Sequence, residues 1–133
     1  MFCGLDEAEV ILGHQADRAG ADASAMGAQL LALGVTEAVI KLGSRGAVSV
    51  SHDRGDVRGE GLDLDFTVDP IGAGDGFCAG FIAARLDAQD VAQSLAWAVA
   101  CGASVAASDG DLVGLPSRLE LARLTDGGRD TIR

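Results

Sequence analysis

Near the middle of the chain, Val68-Asp69-Pro70 runs into Ile71-Gly72-Ala73-Gly74-Asp75-Gly76, and an apolar helical pattern begins at once. Few local structures accept that order of residues. Asp69 precedes proline, so it is held extended and outside any helix. Two glycines around one alanine describe a bare backbone turn, which opens directly into a helix. A helix N-terminus presents unpaired N–H groups and the positive end of its dipole, and so holds phosphate readily. Small side chains let the backbone approach a crowded phosphoryl group, and Asp75 adds a carboxylate able to take a proton from an attacking hydroxyl. The combination points to phosphoryl transfer. The plainer alternative is a tight turn whose first-turn aspartate complements the helix dipole. No G-x-x-x-x-G-K-[ST] phosphate loop occurs in the chain.

The flanking patterns alternate between helix and strand. Residues 5–13 read as a short helix with Leu5, Val10 and Ile11 apolar, ended by Gly13; Met1-Phe2-Cys3 stands just before it, with no strand expected to lead in. A second helix is expected over 23–33, with Met26, Leu30, Leu31 and Leu33 at helical spacing and Gly34 at C′. Ala38–Leu42 is a β-rich run, Gly43 to Gly46 turns, and Ala47–Ser51 alternates as a strand. Arg54–Glu60 holds one edge strand around Asp56–Arg58, and Leu62–Val68 alternates again up to the glycine turn. Gly74–Leu86 is a helix expected to carry Phe77, Phe81, Ile82 and Leu86 on one face, with Gly76 and Gly80 admitting a close neighbour. Asp90–Ala107 is a long alanine-rich helix, apolar on nearly all sides; Ser108–Pro116 is a loop, and Ser117 caps a last helix over Arg118–Leu124. The polar tail, 125–133, is expected to be flexible. The alternation places the chain in the α/β class.

A net charge of −10 and a single lysine, Lys41, argue against nucleic acid or an anionic membrane as partner, since both need clustered positive charge. Nucleotide binding stays open, because backbone amides hold phosphate without lysine. No apolar run approaches the ~20 residues that a membrane span needs. Cys3, Cys78 and Cys101 lie far apart without a C-x-x-C pair, so buried thiols in a reducing cytoplasm are expected. His14 and His52 are lone, in polar surroundings, and read as surface residues.

Asp69-Pro-Ile-Gly-Ala-Gly-Asp75, followed by Gly76-Phe-Cys-Ala-Gly80-Phe81, resembles the second signature of the ribokinase-like (PfkB) carbohydrate kinases. Val39-Ile-Lys-Leu-Gly43-Ser-Arg-Gly46-Ala resembles that family's strand and glycine turn, and Gly110-Asp111-Leu-Val-Gly-Leu-Pro116 a segment of its 2-keto-3-deoxygluconate kinase branch. Gly4-Leu-Asp-Glu7 resembles its Asn-x-x-Glu element, with glycine in place of asparagine. The resemblance implies a ribokinase-like α/β/α layered fold, parallel at the centre with helices on both faces. The 133 residues would be its C-terminal, nucleotide-binding half, a single partial domain with its strands at one edge of the sheet. Members of the family are about twice as long, so a fragment or truncated reading frame is expected.

What the resemblance implies for chemistry is specific. ATP and Mg²⁺ are the expected cofactors, and a small sugar or keto-deoxy sugar acid the substrate. Asp75 is the expected catalytic base, with Gly72, Ala73 and Gly74 supplying an anion hole through their amides. Asp69 would orient phosphates or a metal-bound water, or simply cap the turn. Lys41, Gly43, Ser44 and Gly46 match the nucleotide side, where a plain hairpin turn fits as well. Val99 stands where relatives often carry asparagine beside the adenine, which leaves an apolar wall and weakens ATP binding, while Gly102 permits close approach of a ring. Glu7 would influence magnesium and phosphate, or is a solvated helix glutamate. Two rival readings remain: a non-catalytic nucleotide-binding or oligomerisation module, and a half completed by a partner chain. A homo-oligomer is compatible with either.

Overall fold

Consecutive apolar Ala38, Val39 and Ile40, and valines alternating with serines at 48–51, form the buried middle of a four-stranded sheet in the first part of the chain, in the order β1 (Phe2–Gly4), β2 (Glu37–Lys41), β3 (Ala47–Ser51), β4 (Gly55–Gly59). The computed structural model describes residues 1–13, 22–62, 69–109 and 114–126, which fall into two compact units, Met1–Gly61 and Leu62–Arg133. β1 pairs with β2 in parallel, Cys3 opposite Ile40 and Gly4 opposite Lys41, whereas β2–β3 and β3–β4 are antiparallel. One expectation is corrected here. A strand does lead into the first helix: the Met1 amino group donates to Glu37 O at 2.6 Å and Val39 N donates to Met1 O at 2.8 Å, which zips the N-terminus onto β2. The β2–β3 and β3–β4 pairs are antiparallel because short turns, the first of them the expected one at Gly43–Gly46, join neighbours that must reverse direction, whereas β1 meets β2 in parallel.

Helices α1 (Leu5–Leu12) and α2 (Ala23–Ala32) pack on this sheet around Cys3, Ala8, Leu30, Ile40, Val48 and Val50. Asp22 starts α2 by accepting from Ser24 N at 3.0 Å. Gly13 and Gly34 follow the two helices at φ 70° and 100°, the left-handed geometry expected of them. α2 lies so close to β3 that a Cβ on Gly27 would come within 2.4 Å of Val50 Cγ2. Among the described strands β4 is an edge, with Asp56 and Arg58 exposed.

In Leu62–Arg133, α3 (Ala73–Leu86), α4 (Val91–Ala106) and α5 (Arg118–Asp126) pack together. α3 buries Gly76, Phe77, Gly80, Phe81 and Ala84. Ile82 and Leu86, expected on the same face, are 49% and 81% exposed. At about 100° per residue they lie across the helix from Gly80, so the glycine stripe, rather than the largest side chains, marks the packed face. Asp90 caps α4, accepting from Gln93 N at 2.7 Å, and α5 starts with reciprocal bonds between Ser117 and Glu120. α5 continues to Asp126, into the segment read as tail. The strand expected over Leu62–Val68 is described only at Leu62, and His14, residues 110–113 and residues 127–133 lie outside the described residues.

Candidate functional site

The glycine turn takes its shape from four hydrogen bonds. Asp69 Oδ1 accepts from Ile71 N at 2.9 Å, folding the residues around Pro70 into an Asx turn. Asp69 N donates to Ala106 O at 3.2 Å, tying the entry of the turn to the last residue of α4. Ala73 N donates to Pro70 O at 3.2 Å, and the first full helical bond runs from Gly76 N to Gly72 O at 2.9 Å. Gly72 sits at φ 80°, where a side chain would be strained, and from that left-handed position the chain turns directly into α3. The amides of Gly74 and Asp75 precede the helical ladder and have no partner among the described residues. Asp75 is exposed on the same first turn. Of the three amides named as donors, Ala73's is shared with its own turn; Asp75's own amide is an extra donor, legible in hindsight because every helix leaves its early N–H groups unpaired.

α4 carries this turn from beneath. A Cβ on Gly102 would stand 2.9 Å from Ala73 O and 3.3 Å from Phe77 Cβ; one on Gly76 would stand 2.9 Å from Val105 Cγ2, and one on Gly80 2.7 Å from Trp97 O. Gly102 is therefore buried in the α3–α4 seam, directly under the first turn of α3. Val99 is half-buried on α4. A feature that motif reasoning passed over holds the other end: Arg118 pairs with Asp87 through two contacts, one of them 3.1 Å, and its guanidinium lies 6.0 Å from the Trp97 ring centre.

The remaining candidates belong to Met1–Gly61. Gly43 (φ 61°) and Gly46 (φ 89°) bracket a 3₁₀ turn, closed by Leu42 N donating to Gly46 O at 2.8 Å. A Cβ on Gly46 would meet Gly59 O at 2.0 Å, so this glycine is also required for β4 to approach; Ser44 is exposed at the tip. Glu7 Oε2 accepts from Gly4 N at 2.5 Å, capping α1, and lies 4.0 Å from Lys41 Nζ.

Burial pushes the Cys3 thiol up, with the Glu7 carboxylate adding to the shift and Lys41 opposing it, and burial alone raises Cys101. Neither is an activated nucleophile. Among the described residues no three His, Cys, Asp or Glu side chains gather to hold a metal. The donor set of the turn, backbone amides plus one carboxylate, fits a phosphate group, and it fits magnesium only as an ion carried by the phosphates themselves. No helix of the described residues is long and apolar enough to cross a membrane.

The sequence profile of the pfkB family carbohydrate kinases matches residues 1–118. A 2-dehydro-3-deoxygluconokinase of Bacillus subtilis (strain 168) is 34% identical over 130 residues, 96% of this chain and 37% of that protein. An ATP-dependent ribose-1-phosphate kinase of Halopiger xanaduensis is 46% identical over 71 residues, 53% of this chain and 23% of that protein. A protein described as a ribokinase II from E. coli, solved in complex with ATP and Mg²⁺, superposes with a TM-score of 0.81 at 27% identity, over 95% of this chain and 38% of that one. The Arabidopsis thaliana ribokinase complexed with ribose and ATP shares the fold, with a TM-score of 0.82 at 23% identity over 93% of this chain and 39% of its own. The matched part of the chain thus covers between 23% and 39% of the length of these relatives.

Proposed function

Because the chain belongs to the PfkB family of carbohydrate kinases, we propose that it serves transfer of the γ-phosphoryl group of ATP to a hydroxyl of a small sugar or a keto-deoxy sugar acid such as 2-keto-3-deoxygluconate. The observation that carries this reading is the pair of amides, Gly74 and Asp75, that have no partner among the described residues, beside the exposed Asp75 carboxylate. In the proposed reaction Asp75 accepts the hydroxyl proton as the sugar oxygen bonds to the γ-phosphorus. The bond from that phosphorus to the bridging oxygen breaks, and ADP leaves. The Gly72, Gly74 and Asp75 amides, with Ala73's where its turn yields, stabilise the charge that grows on the phosphoryl oxygens. Magnesium, when bound, neutralises phosphate charge. Gly43, Ser44 and Gly46 serve the nucleotide, Val99 gives the adenine an apolar wall, and Asp69 supports the turn through its bond to Ile71 N. Cytoplasmic location, and the whole chain as one partial domain of a longer kinase, belong to the same proposal.

A second reading is a nucleotide-binding or oligomerisation module without turnover, since amides that hold phosphate do so whether or not it is transferred. ATP and Mg²⁺ offered with a panel of sugars and sugar acids separate the two. Sugar-dependent ADP release that Asp75→Asn abolishes supports the kinase; ATP binding without any release supports the module.

A further inference from the structure

The only lysine of the chain stands at the carboxyl end of β2, opposite Gly4, where β1 passes into α1. Its ammonium lies 4.0 Å from Glu7 Oε2, the same oxygen that accepts from Gly4 N at 2.5 Å. The Lys41 side chain is 27% exposed and the Glu7 side chain 64%. Carboxyl ends of parallel strands are where open α/β sheets meet their ligands. At this end the element resembling Asn-x-x-Glu has lost its first side chain, since position 4 is glycine, and only a backbone amide remains there to hold the carboxylate.

We infer that Lys41 is the positioning residue for Glu7. A glutamate this exposed otherwise samples several rotamers, and a single amide fixes one oxygen without choosing among positions of the other. The ammonium adds a second, charged contact on Oε2, from the side of β2. Both contacts fall on Oε2, and Oε1 has no partner among the described residues. In a chain of net charge −10, Lys41 also lowers the local negative potential that would repel a phosphate. If the proposed phosphoryl transfer holds, the magnesium that accompanies ATP depends on Glu7, and therefore on Lys41; this last clause rests on that proposal.

The test compares Lys41→Met, Lys41→Arg, Glu7→Gln and the Lys41→Met/Glu7→Gln double variant of this chain in two measurements. The first is amide hydrogen exchange at Gly4 without ligand. Lys41→Met is expected to speed it about two- to fivefold, the factor set by a solvent-exposed ion pair, and Lys41→Arg to restore it. The second is the magnesium concentration needed for ATP to bind, read by calorimetry. Lys41→Met is expected to raise it by a similar factor, and to add nothing once Glu7→Gln is present. Unchanged Gly4 exchange in Lys41→Met, failure of Lys41→Arg to rescue, or independent effects in the double variant each overturns the inference. A chain that binds no magnesium–ATP at all sinks the functional reading instead, and Gly4 exchange alone then decides the Lys41–Glu7 contact.

Discussion

Gly102→Ala separates two roles for one glycine. If Gly102 exists to let a nucleotide ring approach, adding a methyl group weakens ATP binding and leaves folding alone. The structure ties it instead to the turn: the new Cβ would stand 2.9 Å from Ala73 O, where ordinary contact begins at 3.4 Å, so the carbonyl must retreat by about 0.5 Å (3.4 − 2.9). That carbonyl is backbone, in a residue already held by its bond to Pro70, and no rotamer can move it aside. Overpacking of this kind costs about 1–3 kcal/mol. Replacing a mid-helix glycine by alanine returns about 1 kcal/mol. The net is a destabilisation on the order of 1 kcal/mol, a fall of about 4 °C in the melting midpoint for a chain this size. Thermal unfolding followed by circular dichroism measures it, and amide spectra should show Gly74 and Asp75 displaced at the same time. A midpoint that stays level or rises, with both amides unmoved, refutes the claim that α4 seats the turn through Gly102.

Asp75→Asn should abolish sugar-dependent ADP release and change ATP affinity less than threefold; retained turnover removes Asp75 from its role as base. Ala88, the non-glycine residue that follows α3 at φ 59°, should be improved by Ala88→Gly by roughly 0.5 kcal/mol in urea unfolding, because relief of left-handed strain outweighs the added chain entropy; a loss of stability contradicts it. Burial raises the Cys3 and Cys101 thiols above their unfolded values, so the unfolded chain loses those protons first. Stability from this source is complete below about pH 8.5 and declines as pH climbs through the folded values, so the urea midpoint should fall between about pH 8 and 10. If replacing both cysteines by alanine leaves that fall undiminished, its cause lies elsewhere.

Local chemistry announced most elements. Ser117 caps α5 as expected, and Gly13 and Gly34 end α1 and α2 in the geometry only glycine adopts freely, while the caps that Asp22 and Asp90 supply to α2 and α4 come from the structure. β1 stayed hidden because three residues cannot display a period of two, and because its partner β2 lies more than thirty residues away. The α3 face was misread through weighting by size: Ile82 and Leu86 look like core residues, yet Gly76 and Gly80 are what the neighbouring helix requires. In the site, the residue types at 72–75 pointed to open amides and a carboxylate, whereas the distinction between Gly102 as ligand contact and as helix seat depends on interhelical distance, which no single segment encodes. The Arg118–Asp87 pair, with Trp97 beside it, was equally invisible, since Asp87 follows α3, Trp97 lies in α4 and Arg118 opens α5.

Proton–nitrogen correlation spectra of the chain, titrated with magnesium and ATP, address the bend at Gly72 most directly. The Gly74 and Asp75 amide protons should move downfield together and saturably, and the same displacement should be lost in Gly72→Val, whose side chain cannot take the left-handed position. Saturable ATP binding that leaves both of those resonances where they began would contradict the assignment of this turn to phosphate.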